Sequence, residues 1–166
     1  MRASGKLKPE GKETAVLPFH TILCPLDFSE PSQKALQNAI EMAGQFRGEL
    51  VLVHVIAPAA PGIPADPTYA FAGPEGYEKA IRVNAEEQLT LAATRIPKEL
   101  KSRTVIGNGD AADEIVRLAT AETADLIVIA THGLTGWRHL VFGSVAEKII
   151  RLAERPVLVI PANKPG

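Results

Sequence analysis

The sequence predicts a single α/β domain: one doubly wound, mainly parallel five-stranded sheet with helices on both faces. Three observations predict it. Short apolar runs of strand length alternate with stretches whose apolar residues recur at helical spacing. The alternation is regular from residue 21 to residue 160, as successive right-handed crossovers require. One run, residues 125–130 (DLIVIA), is apolar at all but its first position, as a strand covered on both faces must be.

The elements follow in order. Residues 1–17 are polar, carry Gly and Pro and show no periodicity, so they are expected to form a flexible extension to a domain spanning 18–166. Residues 21–26 (TILCPL) form the first strand. A helix then starts at Ser29, a good N-cap, with Pro31 in its first turn. Its apolar face is Ala35, Leu36, Ala39, Ile40, Ala43 and Phe46, and Gly44 and Gly48 bracket its end. ELVLVHVI, residues 49–56, is a β-branched strand. Residues 57–76 are crowded with Pro, Gly and Ala, too long for an ordinary connection, and read as a lid or a disordered crossover. A second helix is expected over roughly 77–96, with Ala80, Val83, Leu89 and Ala92 in its apolar set. Strand 101–106 leads through GNGD to a helix capped by Asp110, with Ile115, Leu118 and Ala119 inward. After strand 125–130 comes a glycine-bearing loop, a helix over 143–153, and the last strand, PVLVI at 156–160. Neither an internal repeat nor a second domain is visible. The order is Rossmann-like.

Bulk properties narrow the function classes. The chain has 166 residues, 46% hydrophobic and 22% charged, with a formal net charge of -1, which gives no electrostatic reason to expect nucleic acid or an anionic membrane as partner. No apolar run approaches the ~20 residues of a membrane span, and the N-terminus lacks the apolar core of a secretory signal. The single cysteine, Cys24, cannot form an internal disulfide and sits inside an apolar run, so a packing thiol in a reducing cytoplasm is expected.

In doubly wound sheets, ligands bind beyond the C-terminal strand ends where the strand order reverses. Three segments meet that rule: residues 26–29, 55–58, and 130 onward. The stretch ATHGLTGWRHLVFGSVAEKII, residues 130–150, leaves an apolar strand and enters a helix at Gly143-Ser144. A helix N-terminus presents unpaired N–H groups and the positive end of a macrodipole. Gly143 keeps side-chain bulk away, Ser144 adds a hydroxyl, and Gly133 lets the backbone approach the same point. His132, Arg138 and His139 add positive charge. The same residues also suit a plainer reading, in which Gly133 and Gly136 serve turns, Ser144 caps a helix and Trp137 packs the loop down. Walker-type GxxxxGK[ST] and dinucleotide GxGxxG patterns are absent.

Asp27, in PLDFS, faces the same crevice. A carboxylate there accepts hydrogen bonds from a ribose or a base amine, or holds a metal through water; alternatively it caps the turn into the first helix. His54 reads as a packed strand histidine, because no second His or Cys stands near it in sequence to share a metal. Its neighbour Val55 is placed to offer backbone groups to a base edge. No nucleophilic triad or two-metal carboxylate cluster is legible. A phospho-acceptor aspartate would be expected after the third strand, where Ile106 leads instead into Gly107-Asn108.

With PLDFS, LVHVI, ATHG and GSVAEKIIRLAERPVLVIP in this order, the chain resembles the universal stress proteins over roughly residues 18–161. Nucleotide-binding members carry G-x2-G-x9-G-[ST] after the fourth strand. Gly133 and Gly143-Ser144 match its second and third parts, whereas Ala130 stands at its first glycine. The resemblance implies ATP as ligand, with ADP or AMP as alternatives, together with Mg2+. It implies that Pro25, Leu26 and Asp27 line the adenosine side and that the Val55 backbone meets adenine. Gly133, Gly143, Ser144 and Val145 would then hold the phosphates, and Ala130, His132 and Arg138 are counted with them as cofactor-binding residues. It further implies a nucleotide-dependent stress-response regulator in the cytoplasm, with at most slow hydrolysis or self-phosphorylation, and a homodimer through strand 156–160. The apolar character of that strand agrees, since an apolar sheet edge is a liability when bare. The alternative is a module that has lost nucleotide, acts through dimerisation and protein partners, and owes that loss to Ala130.

Overall fold

In the computed structural model, residues 17–58, 73–131 and 142–162 are described. The elements are β1 (Thr21–Pro25), α1 (Glu30–Phe46), β2 (Glu49–Ile56), α2 (Gly73–Ala93), β3 (Ser102–Asn108), α3 (Ala111–Ala121), β4 (Leu126–Ala130), α4 (Ser144–Leu152) and β5 (Val157–Ile160). The strands lie in the order β3-β2-β1-β4-β5, and every pairing is parallel. The chain winds outward from β1 to β3 on one side, then returns to place β4 and β5 on the other. The order therefore reverses between β1 and β4.

Strand alternation sends successive side chains to opposite faces, and the core divides accordingly. Ile22, Cys24, Leu50, Leu52 and Val128 pack with Ala35, Leu36 and Ala39 of α1 and Leu89 and Ala92 of α2. Leu23, Val51, Val53, Ile127 and Ile129 pack with Ile115 and Leu118 of α3 and Ala146 and Ile149 of α4. Each fully buried Leu or Ile contributes about 1.5–3 kcal/mol of transfer free energy. Every residue of β4 is buried, as its composition predicts for an interior strand.

Local chemistry sets the ends of the helices. Ser29 caps α1, its side chain accepting from the Ser32 N–H, and Pro31 lies in the first turn. Gly48, just past the helix, passes so close to β1 that a Cβ there would stand 2.8 Å from the Phe19 carbonyl oxygen. Asp110 caps α3, accepting from the N–H groups of Ala112 and Asp113.

Three boundaries differ from the expectation by two residues or more. Helix α2 begins at Gly73, so residues 73–76, read from sequence as loop, are helical; a proline in a first turn costs no intrahelical bond. Its end comes at Ala93, because Arg95 and Ile96 donate to carbonyls three residues back and tighten the last turn. Strand β3 continues to Asn108, paired with Ile56. The expected extension over residues 1–16 and the centre of the Pro-rich segment, residues 59–72, lie outside the described residues. No described helix is long and apolar enough to cross a membrane.

Candidate functional site

The reversal between β1 and β4 opens a crevice at their C-terminal ends. A cavity of about 430 Å³ occupies it, lined by Pro25, Leu26, Asp27, Val55, Ala130, Gly143, Ser144 and Val145 among others. Eight of the eleven residues singled out from sequence thus meet at one place. His132, Gly133 and Arg138, with Gly136, Trp137 and His139, lie outside the described residues.

One wall of the cavity is built by the start of α4. Gly143 is its N-cap, with extended φ -73 and ψ 157, and makes no side-chain cap. The first intrahelical bond runs from Glu147 N–H to the Gly143 carbonyl, so the N–H groups of Ser144, Val145 and Ala146 precede it. Helices α1 and α3 close their own N-termini with Ser29 and Asp110. Helix α4 does not, and all four residues from Gly143 to Ala146 line the cavity. A positive φ does not explain this glycine; the absence of a side chain that would cap the helix does. One detail departs from the sequence reading. The Gly143 N–H itself donates to the Thr131 carbonyl at 2.7 Å, fixing the helix start to the end of β4, so that the next three N–H groups are the ones ahead of the first intrahelical bond.

Ala130 is the last residue of β4, in register with Ile160. It is buried and belongs to the core on the α1 side, and its φ is not among the positive ones. Nothing in its backbone conformation calls for glycine.

On the opposite side, Asp27 Oδ1 accepts from the Ser29 N–H at 3.1 Å and from the Ser29 hydroxyl at 2.5 Å. The carboxylate therefore does cap the turn, and it lines the cavity as well. Phe28 between them has φ 64, a left-handed conformation uncommon for a bulky side chain and often found where a site is held in place. Lys148 Nζ bridges α4 to Asp113 at 2.9 Å and Asp110 at 3.1 Å. The Asp113 N–H and the Lys148 ammonium hold the Asp110 carboxyl below the usual carboxylate range.

Strand alternation settles which backbone groups face the crevice. The Leu26 N–H donates to the Val53 carbonyl at 2.7 Å, and Gly109 N–H to the Ile56 carbonyl at 3.0 Å. Residue 53 therefore faces β1 and residue 56 faces β3. Val55, two residues beyond Val53, turns its N–H and C=O toward β1 just where β1 ends.

Sequence reasoning missed part of the lining. His54, expected only to pack, lines the cavity and bonds through Nδ1 to the Leu26 carbonyl at 2.7 Å. Ser32, Ala111 and Ile115 line it too. The Asp110 cap was a usable signal for Ala111, since in parallel sheets helix N-termini sit at the strands' C-terminal ends.

Comparisons with known proteins give a consistent result. The model of the universal stress protein family matches residues 18–161. The chain is 34% identical over 150 residues to universal stress protein MJ0531 of Methanocaldococcus jannaschii, covering 88% of this chain and 84% of that relative. The solved structure of hypothetical protein MJ0577 is similar at a TM-score of 0.73 and 25% identity, over 88% of this chain and 98% of its own. A universal stress protein from Archaeoglobus fulgidus, solved in complex with dAMP, shares the fold with a TM-score of 0.60 at 23% identity, over 86% of this chain and 97% of its own.

Proposed function

The chain belongs to the universal stress protein family, and from that premise we propose that it binds an adenine nucleotide, ATP with Mg2+, in the crevice between β1 and β4. One observation carries the proposal. Helix α4 leaves its N-terminus without a side-chain cap and opens it into a cavity at the topological switch point. The N–H groups of Ser144, Val145 and Ala146 would hold phosphate oxygens, with His132, Gly133 and Arg138 contributed by the preceding loop. Pro25, Leu26 and Asp27 would line the adenosine, and the Val55 N–H and C=O would meet the base edge. The methyl of Ala130, in a regular strand, is compatible with this reading. ADP and AMP share the same recognition groups. The Archaeoglobus protein of similar fold was solved in complex with dAMP, which supports this reading.

Nucleotide would bias the conformation of the segments around the crevice, so that the protein reports nucleotide state in the stress response. Strand β5, apolar and at the sheet edge, would join two copies as a homodimer. Isothermal titration of nucleotide-stripped protein with Mg-ATP tests the ligand. Micromolar binding is expected. The absence of heat from folded protein across several temperatures would end the nucleotide reading and return attention to protein partners.

A further inference from the structure

We infer that His54 is the residue that keeps the Val55 N–H open to the nucleotide base, and so sets the preference for adenine. This deepens the adenine-nucleotide reading and rests on it. The parallel ladder between β1 and β2 runs through Pro25↔Val53, and its last rung is Leu26 N–H to the Val53 carbonyl. The next rung would join Val55 N–H to the Leu26 carbonyl. That rung is not made; the Leu26 carbonyl accepts from His54 Nδ1 at 2.7 Å, and although a carbonyl has a second lone pair, the imidazole N–H holds this one turned toward the His54 ring. A carbonyl only accepts, so Nδ1 carries the hydrogen.

The histidine ring is held for this task. It stacks on Phe28 with centroids 4.6 Å apart and planes 28° from parallel, and Phe28 is fixed in its left-handed conformation between Asp27 and Ser29. The side chain of one β2 residue thus engages the acceptor that its neighbour's backbone would otherwise share. The sheet stops one rung early, and Val55 presents an adjacent donor and acceptor to the crevice. Adenine offers the complement, a ring nitrogen acceptor beside an amine donor. Hypoxanthine, with ring N–H and 6-oxo reversed, sets donor against donor and acceptor against acceptor, a mismatch that polar sites reject strongly.

The test compares wild type, His54→Phe and His54→Asn. Phenylalanine keeps a ring to stack but has no donor; asparagine places an amide N–H close to where Nδ1 stands. Affinities for Mg-ATP and Mg-ITP are measured by calorimetry, and exchange of the Val55 amide hydrogen by NMR in the absence of nucleotide. Wild type is expected to favour ATP over ITP by tenfold or more and to exchange the Val55 amide readily. In His54→Phe the freed Leu26 carbonyl takes the Val55 N–H, the amide becomes protected, and the ATP:ITP ratio falls toward unity. His54→Asn restores both wild-type readings. An unchanged ratio in His54→Phe that still binds ATP overturns this inference alone. Wild-type protein that binds neither nucleotide overturns it together with the reading on which it rests.

Discussion

Replacing Gly143 by aspartate should make the protein more stable and, at the same time, blind to nucleotide. Gly143 is the N-cap of α4 and contributes no side-chain acceptor. An aspartate there supplies an oxygen for the first-turn N–H groups and a negative charge at the positive end of the helix, together about 0.5–1.5 kcal/mol. At about 2–4 °C per kcal/mol for a chain of this size, the melting temperature of the free protein rises by about 1–6 °C. The same carboxylate, about 4 Å from a bound phosphate, opposes it by about 4 kcal/mol at an effective dielectric of about 20, which weakens binding about a thousandfold. With ATP at a hundred times its wild-type Kd, wild type gains about 2.7 kcal/mol, or roughly 5–10 °C. The variant gains nothing measurable at that concentration. Thermal melts of both proteins with and without Mg-ATP give all four numbers. A variant that melts several degrees lower when free refutes the cap geometry. One that keeps the full ATP-dependent shift refutes the placement of phosphate at α4.

Four other outcomes follow from the same structure. Ala130→Gly should leave ATP affinity within about threefold, because Ala130 keeps strand geometry, and should lower stability by about 0.5–1 kcal/mol; a tenfold gain in affinity on titration would show that the methyl does obstruct the site. Val159→Pro should dissociate the proposed dimer in sedimentation while circular dichroism stays unchanged. The Pro156 and Ile160 carbonyls bond to β4, so the Val159 N–H faces the open edge and its loss spares the sheet. A variant that sediments as wild-type dimer places the interface elsewhere. Cys24 is fully buried and its thiol is pushed up to about 12 by desolvation, so a maleimide at pH 8 should label it only after denaturation; rapid labelling of native protein contradicts its burial. Asp110 is held below its ordinary value by the Asp113 N–H and Lys148. Its stabilising contribution is therefore present above about pH 4, near the unfolded carboxylate value, and lost as pH falls through the lower folded value. Asp110→Asn, which keeps a capping oxygen, should flatten that part of the acid-unfolding profile; an unaltered profile refutes the linkage.

Much of the fold was legible because local chemistry and tertiary packing agree in it. Ser29 and Asp110 are capping residues placed ahead of apolar periodicity, and both cap helices. The DLIVIA run predicts an interior strand, and Leu126–Ala130 is buried throughout. The start of α2 was misread because Gly and Pro in residues 73–76 signal loops, whereas a first turn tolerates them. Within the site, the glycine-serine helix start could be read from sequence as a possible anion cradle, because its chemistry is local. The Gly143 bond to the Thr131 carbonyl could not be read, nor could the part His54 plays at Leu26. Each depends on registers between segments distant in the chain, which apolar periodicity does not encode. Val55 was singled out for its backbone, but the sequence does not say that the β1–β2 ladder stops at the Leu26 N–H to Val53 carbonyl bond.

The most direct test of a phosphate cradle at α4 is an amide NMR titration of stripped protein with ADP and, separately, with adenosine. The account predicts that ADP shifts the amides of Ser144, Val145 and Ala146 strongly downfield while adenosine moves only those near Leu26 and Val55. Bound ADP that leaves the three α4 amides where they were would contradict it.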